Sequence, residues 1–416
     1  MMRVGRGGRT PARTTGVARY AVHMLIRAHQ TVLFGLAFAT LASAQARSAD
    51  PKPARPSIRV VKLSGSPRER GIAHGKALKN EIHALVKLWK ADLEKTYRRD
   101  PDEFIARFYA DTEFEGAIDK WTPGLLDEVH GIAEGAGIDY ETMFVFQLID
   151  EVWAQGKTVL QADKCTAIGV DRRDDQPTIV AQNLDIPKWY HGFQTLLHIT
   201  DQKAKLQTFV VTLPGLVGAN GMNSARVAVV VNTILQVRPC KDGLPVAFVV
   251  RGVLNQKDWH KARRFLYDVR HASGQNYTIG GRDVAHSYEC SAHRVVRYRP
   301  YPNGTFTFHT NHPLVNEEWS EPFLSRAKQA GKPPKEMLRP CSRFESLQKW
   351  LKKDTVATLE TVLAALRSKD STVPICNAHT FACTIMLLGG EPELQISAGG
   401  ADTNKLHTFR FNAKPR

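Results

Sequence analysis

The spacing of apolar residues in this 416-residue chain shifts at Cys165 from mostly helical to strand-rich, and any fold it adopts has to accommodate that change. Before it the pattern is helical. Ser66-Pro67-Arg68-Glu69 combines a capping box with proline at the first helical position. Ile72, Leu78, Ile82, Leu85, Trp89 and Leu93 follow at helical spacing, which predicts one amphipathic helix. A second helix is expected from Thr122-Pro123, carrying Leu125, Leu126, Val129 and Ile132 and stopping at Gly135 and Gly137; Asp139 is placed to cap a third, ending near Trp153. From Cys165 the period shortens. Residues 165–170 and 181–185 read as two strands around a polar turn, so a thiol and the carboxylate of Asp185 come to one end of a sheet. Further strands are expected over 207–211 and 227–233, around Tyr277, Val295 and Phe306, and over 381–388, 394–397 and 407–411. Helices are expected over 246–254, 259–269, 342–351 and 356–366.

The first 46 residues hold six arginines and no acid, then an apolar run over 31–41, then Ala44-Gln45-Ala46. This is the layout of a secretory signal peptide, with an apolar core too short to span a bilayer. It predicts an exported protein, periplasmic or secreted, with no stable membrane insertion after the leader is removed. A Pro-rich tether over 51–56 would follow. Taking six basic residues from 57 leaves 51 against 41 acids, a net charge of +10 in place of +16. These charges are scattered and no nucleic-acid motif accompanies them, so no nucleic-acid partner is expected. With Cys165 set aside as a reactive thiol, five cysteines remain, which permits at most two disulfides. Neither Cys376 and Cys383 around His379 nor His309 and His312 bring a third ligand at metal-site spacing. The glycine-spaced loop over 214–223 lacks the Gly-Lys-Ser/Thr ending of a phosphate loop. No metal or cofactor is therefore expected.

A cysteine beside a strand is ordinarily a small buried hydrophobe. Cys165 differs in standing at the boundary between the two halves. Polar residues recur at the ends of apolar runs downstream: Asn223 closes the glycine-spaced loop, Asn311 ends the strand around Phe308, and Arg343 opens a helix. An asparagine amide so placed can donate to developing negative charge.

Taken together, these residues resemble the acyl-coenzyme A:6-aminopenicillanic acid acyltransferase family, related to bile salt hydrolases and acid ceramidases among the N-terminal nucleophile hydrolases. Upstream the resemblance rests on Gly65-Ser66-Pro67-x-x-Arg70-Gly71-x-x-His74-Gly75 and on Gly131-Ile132-Ala133-Glu134-Gly135-Ala136-Gly137. Downstream it rests on Cys165-Thr166, Gln182-Asn183-x-Asp185, Gly221-Met222-Asn223, His309-Thr310-Asn311-His312 and Ser342-Arg343-Phe344. The resemblance implies an α+β fold, a four-layer αββα sandwich. It divides the chain into a signal peptide (1–46), a helical pro-segment or α chain (47–164) and a catalytic β chain (165–416), with the α and β chains staying associated after self-cleavage between Lys164 and Cys165. It implies that Cys165 forms an acyl-thioester from a small amide, lactone or penicillin-like substrate, with Asn311 in the oxyanion hole. Asp185 would hold the amine and thiol, Asn223 would line the site, and Arg343 would pair with Asp185 or another site carboxylate. Gln182, where bile salt hydrolases carry arginine, points away from bile salts. Two other readings make different predictions: an uncleaved thiol hydrolase with His309 or His312 as base, and a catalytically silent cell-envelope binding protein.

Overall fold

A computed structural model describes residues 57–155, 165–174, 176–338 and 341–412. The expected leader, the tether and Lys164 lie outside the described residues. The segment before Cys165 opens with a strand, β1 (Arg59–Ser64), and continues as α1 (Pro67–Ala77), α2 (Lys79–Tyr97), α3 (Pro101–Ala110), α4 (Phe114–Trp121), α5 (Leu125–Ala136), α6 (Tyr140–Phe146) and α7 (Ile149–Gln155). After Cys165 come β2 (Thr166–Val170), β3 (Ile179–Asp185), β4 (Thr195–Asp201), β5 (Leu206–Thr212), β6 (Asn220–Asn223) and β7 (Ala228–Thr233), then α8 (Val246–Leu254) and α9 (Trp259–Asp268). Four more strands follow, β8 (Gln275–Gly280), β9 (Ala285–Cys290), β10 (Val295–Tyr298) and β11 (Phe306–His309). The chain ends with α10 (Glu321–Gln329), α11 (Pro334–Met337), α12 (Ser342–Trp350), α13 (Leu359–Arg367), β12 (Thr380–Leu387), β13 (Glu393–Ala398) and β14 (His407–Arg410).

The strands form two sheets, one in the order β1-β4-β5-β6-β7-β8-β9-β10, the other β11-β2-β3-β12-β13-β14. They face each other, with β2 and β3 against β7 and β8, and β11 against β9. Helices α8 and α9 cover the outside of the first sheet, while α13, with α12 beside it, covers the second. The fold is an α+β sandwich of four layers, as expected. Alternation along β2 explains the layering. Ile168 and Val170 point out to the core shared with Phe344, Leu347 and Val362 of the covering helices. Gly169 points inward, where a Cβ would already touch Thr278 and Ala285 of the facing sheet. Gln182 on β3 crosses between the sheets, donating to the Val231 carbonyl on β7 and accepting from Asn220 Nδ2 at 2.7 Å.

The segment before Cys165 departs from expectation in three ways. The first long helix is broken at Leu78 into α1 and α2. Their buried faces differ: α2 buries the apolar stripe Ile82, Leu85 and Trp89, whereas α1 buries Arg70, Gly71, His74 and Gly75 against α5. The helix after Asp139 is likewise split, and Asp139 caps only α6, accepting from Thr142 N. Finally, β1 pairs with β4 in parallel, Arg59 opposite Thr195 through Ser64 opposite Thr200, so the mostly helical segment supplies an edge strand to the sheet of the other. The capping box at Ser66 and Glu69 is formed as read. All six cysteines are free.

Candidate active site

Hairpin register builds the centre. Thr166 pairs with Asn183, so Cys165 and Asp185 meet where β2 begins and β3 ends. Cys165 is buried, and its Sγ lies 3.8 Å from the Asp185 carbonyl oxygen. Asp185 is also buried, and its Oδ2 accepts from Asn377 Nδ2 at 2.8 Å. Asn377 precedes β12 and went unnoticed in the sequence, where it is one polar residue in a polar loop. Burial, and then the negative charge of Asp185, push the Cys165 thiol above its ordinary range against the opposing pull of Arg343. Within the intact chain this thiol therefore holds its proton.

Arg343 comes from the first turn of α12 and is 1% exposed. Its Nη1 donates to the Cys165 carbonyl at 2.6 Å and to Thr166 Oγ1 at 3.0 Å, and its Nη2 donates to Asn311 Oδ1 at 3.2 Å. These acceptors differ from the carboxylate partner implied by the resemblance; no Arg343–carboxylate bond occurs among the described residues. The cause is local: the guanidinium lies across the start of β2, where backbone and amide oxygens are what it meets.

Asn311 Nδ2 in turn donates to the Thr233 carbonyl at 3.1 Å, which uses one of its two amide hydrogens. Thr233 Oγ1 donates to Asp150 Oδ1 at 2.6 Å. The bonded path thus runs from Cys165 through Arg343, Asn311 and Thr233 to a carboxyl on α7. Burial raises the Asp150 pKa, opposed by Thr233 and Gln275. Glu151, beside it, accepts from Val246 N and Ser273 Oγ, and burial followed by the charge of Asp150 lifts its pKa to about 8. Neither acid was singled out in the sequence, where two adjacent acids in the first turn of a short helix read as an ordinary helix start.

Cys165, Asp185 and Asp150 share a cavity of about 80 Å³ whose other walls are mostly apolar, among them Trp153, Leu184 and Phe381, with Gln147, Thr212 and Thr233 the polar exceptions. Asn223 is not one of its walls. Instead it sits at the far end of β6, where Nδ2 donates to the carbonyls of Leu254 and Gln256, and Oδ1 accepts from Ala225 N and Val227 N. All its hydrogen-bonding capacity goes into ending α8 and turning the chain into β7. The expectation that it lines the site is corrected accordingly.

The two histidines are also engaged away from the thiol. His309 is buried, with Nε2 2.8 Å from Glu289 Oε1 and Nδ1 2.6 Å from the Thr310 carbonyl, so both ring nitrogens face oxygen acceptors. His312 Nδ1 lies 3.1 Å from Thr310 Oγ1.

Residues 172–378 match the family described as acyl-coenzyme A:6-aminopenicillanic acid acyl-transferase, beginning seven residues after Cys165. The 40 kDa form of the acyl-coenzyme A:6-aminopenicillanic-acid acyltransferase of Emericella nidulans is 26% identical over 269 residues, 62% of this chain and 70% of that protein. Among solved structures, a Caenorhabditis elegans N-acylethanolamine-hydrolyzing acid amidase ortholog is 17% identical, covering 60% of this chain and all of its own, with a TM-score of 0.39. Penicillin V acylase from Agrobacterium tumefaciens is 13% identical over 59% of this chain and 86% of its own, with a TM-score of 0.36.

Proposed function

We propose that this chain, a relative of the acyl-coenzyme A:6-aminopenicillanic acid acyltransferases, is an exported enzyme that cleaves itself before Cys165 and then uses that residue as an N-terminal nucleophile on acyl amides. The observation that carries the reading is the grip of buried Arg343 on the Cys165 carbonyl, at the rim of an apolar cavity and at the boundary between two differently built segments. That grip fixes Cys165 from its C-terminal side, leaving the nitrogen side free to become a chain terminus.

Cleavage resolves the problem of the protonated thiol. In the intact chain the Cys165 nitrogen is an amide and no base; once freed it is an α-amine with an unperturbed pKa of about 8, able to take the thiol proton. Sulfur then attacks the acyl carbon, and the remaining amide hydrogen of Asn311 donates to the oxyanion. The α-ammonium so formed gives that proton to the leaving nitrogen as the carbon–nitrogen bond breaks, and water or a second amine then opens the thioester and releases the thiol. Asp185, held by Asn377, keeps the terminus in place. The apolar cavity suits the acyl chain. Cleaved chains would stay together through β1 in the first sheet and through Glu128, which accepts from both Arg70 of α1 and Arg251 of α8.

Intact mass in denaturant, taken for the purified protein and for Cys165→Ala, tests the reading. Two fragments meeting at Lys164/Cys165 in the wild type, and one chain in the variant, are expected. A single wild-type chain that nevertheless turns over amides would overturn the N-terminal mechanism.

A further inference from the structure

Cys341 takes no part in the chemistry above. It is half-buried and occupies the N-cap position of α12, with Sγ donating to Thr310 Oγ1 at 3.3 Å. Thr310 Oγ1 is also the partner of His312 Nδ1 at 3.1 Å. His312 is 6% exposed, its Nε2 has no hydrogen-bond partner, and its ring packs edge-on against Phe344 in the same first turn of α12. A thiol, a hydroxyl and an imidazole thus form one cluster at a helix N-terminus, with the Arg343 cation two residues on.

The electrostatics distinguish this thiol from the rest. Burial works to raise it, but His312, Arg343 and Thr310, with the Phe344 N–H, outweigh that and bring the Cys341 thiol down to about 6. The other five cysteines are all pushed up, each chiefly by burial. Near neutral pH, Cys341 is therefore the thiolate among six cysteines.

We propose that Cys341 is a reversible modification site for small disulfides and related sulfur–sulfur electrophiles, one residue from the helix turn that presents Arg343. The thiolate attacks one sulfur of the S–S bond. That bond breaks, a new disulfide forms on Cys341, and the other half departs with the electron pair as a thiolate or sulfinate. Cys341 is oxidised, the departing half is reduced, and no other reactant is needed. His312, joined to the thiol through Thr310 Oγ1, stabilises the thiolate before attack.

The test uses methyl methanethiosulfonate on the full-length Cys165→Ala chain, so that its outcome is independent of whether Cys165 is a nucleophile. Initial labelling is followed from pH 4 to 9, and the label is located by peptide mass. A first label on Cys341, with half-maximal rate near pH 6, is expected. At pH 6 its rate should exceed that of an unperturbed thiol on the order of tenfold, after allowing for the lower intrinsic nucleophilicity of a low-pKa thiolate. Cys341→Ser should remove the fast label. His312→Gln should move the half-maximal pH upward toward the ordinary thiol range of about 8.5. First labelling of another cysteine, a half-maximal rate above about pH 8 in the unsubstituted cluster, or a pH profile unmoved by His312→Gln would each overturn the proposal.

Discussion

Two asparagines that look equivalent in the sequence do different work. Asn311 keeps one amide hydrogen uncommitted and is tied to Cys165 through Arg343, whereas Asn223 spends both amide hydrogens and its oxygen on backbone partners. Asn311→Ala should lower kcat by about a hundredfold or more, the usual cost of losing an oxyanion donor, with little change in melting temperature. Asn223→Ala should do the reverse: buried carbonyls of Leu254 and Gln256 lose their donor, costing about 1–3 kcal/mol of stability, while kcat of the folded protein holds. Thermal melts alongside kcat for both variants separate the roles, and a hundredfold loss of kcat in folded Asn223→Ala would return that residue to the site. The family resemblance, not residue spacing alone, picked out Cys165, Asp185, Asn311 and Arg343, which the fold brings close together. What it could not convey was direction. Asp150 and Asn377 reach that centre across 83 and 192 residues of chain from their partners Thr233 and Asp185, and no local pattern encodes such a meeting.

At the scale of elements, α1 and α5 depend on absent side chains. A Cβ on Gly71 would overlap the Glu128 carbonyl oxygen, and one on Gly75 the Ile132 carbonyl oxygen. Both obstacles are backbone, which cannot swing aside as a flexible side chain would. Gly71→Ala or Gly75→Ala should therefore force the helices apart and cost about 1–3 kcal/mol. Gly116 in α4 is the control: a Cβ there meets nothing within 4 Å, and Gly116→Ala should gain about 0.5–1 kcal/mol. Denaturant unfolding of the three variants checks both signs. The same glycines explain where the sequence misleads. A stripe of apolar residues predicts a helix continuing through Leu78, but α1 is buried by glycine and α2 by leucine, isoleucine and tryptophan, and one straight axis cannot serve both. Elements announced by caps or by short apolar runs around a polar turn, such as α1 at Ser66 and the β2–β3 hairpin, were legible. Edge strand β1 was not, because it is only six residues long and its partner β4 lies over 130 residues away. Helices α3, α4 and α10, of 8 to 10 residues, are too short for their apolar faces to repeat more than once or twice.

For the whole molecule, the join between the segment before Cys165 and the rest is built from buried ionisable groups, so its strength depends on pH. Burial would raise Glu128, but Arg251 and Arg70 hold its carboxyl below the ordinary range, and it stays ionised. His74 accepts from Gly215 N across the join, and burial drives its pKa to about 4. The unfolded chain binds that proton near 6.5 and the fold does not, so the contribution of His74 is complete above about 6.5 and is lost as pH falls toward 4. Glu151 acts in the opposite sense. Its folded pKa of about 8 lies above the ordinary 4.5, so between those values the folded protein holds a proton that the unfolded chain has released. Stability from this group is therefore fully present below about 4.5 and declines as pH rises through about 8, at up to about 1.4 kcal/mol per pH unit. Glu151→Gln retains an oxygen for Val246 N and Ser273 Oγ but cannot ionise. The variant should match the wild type near pH 5 and become progressively more stable than it toward pH 8, as read from denaturant midpoints at several pH values. Parallel stability curves for the two proteins would mean that Glu151 ionises in the fold as it does in the unfolded chain.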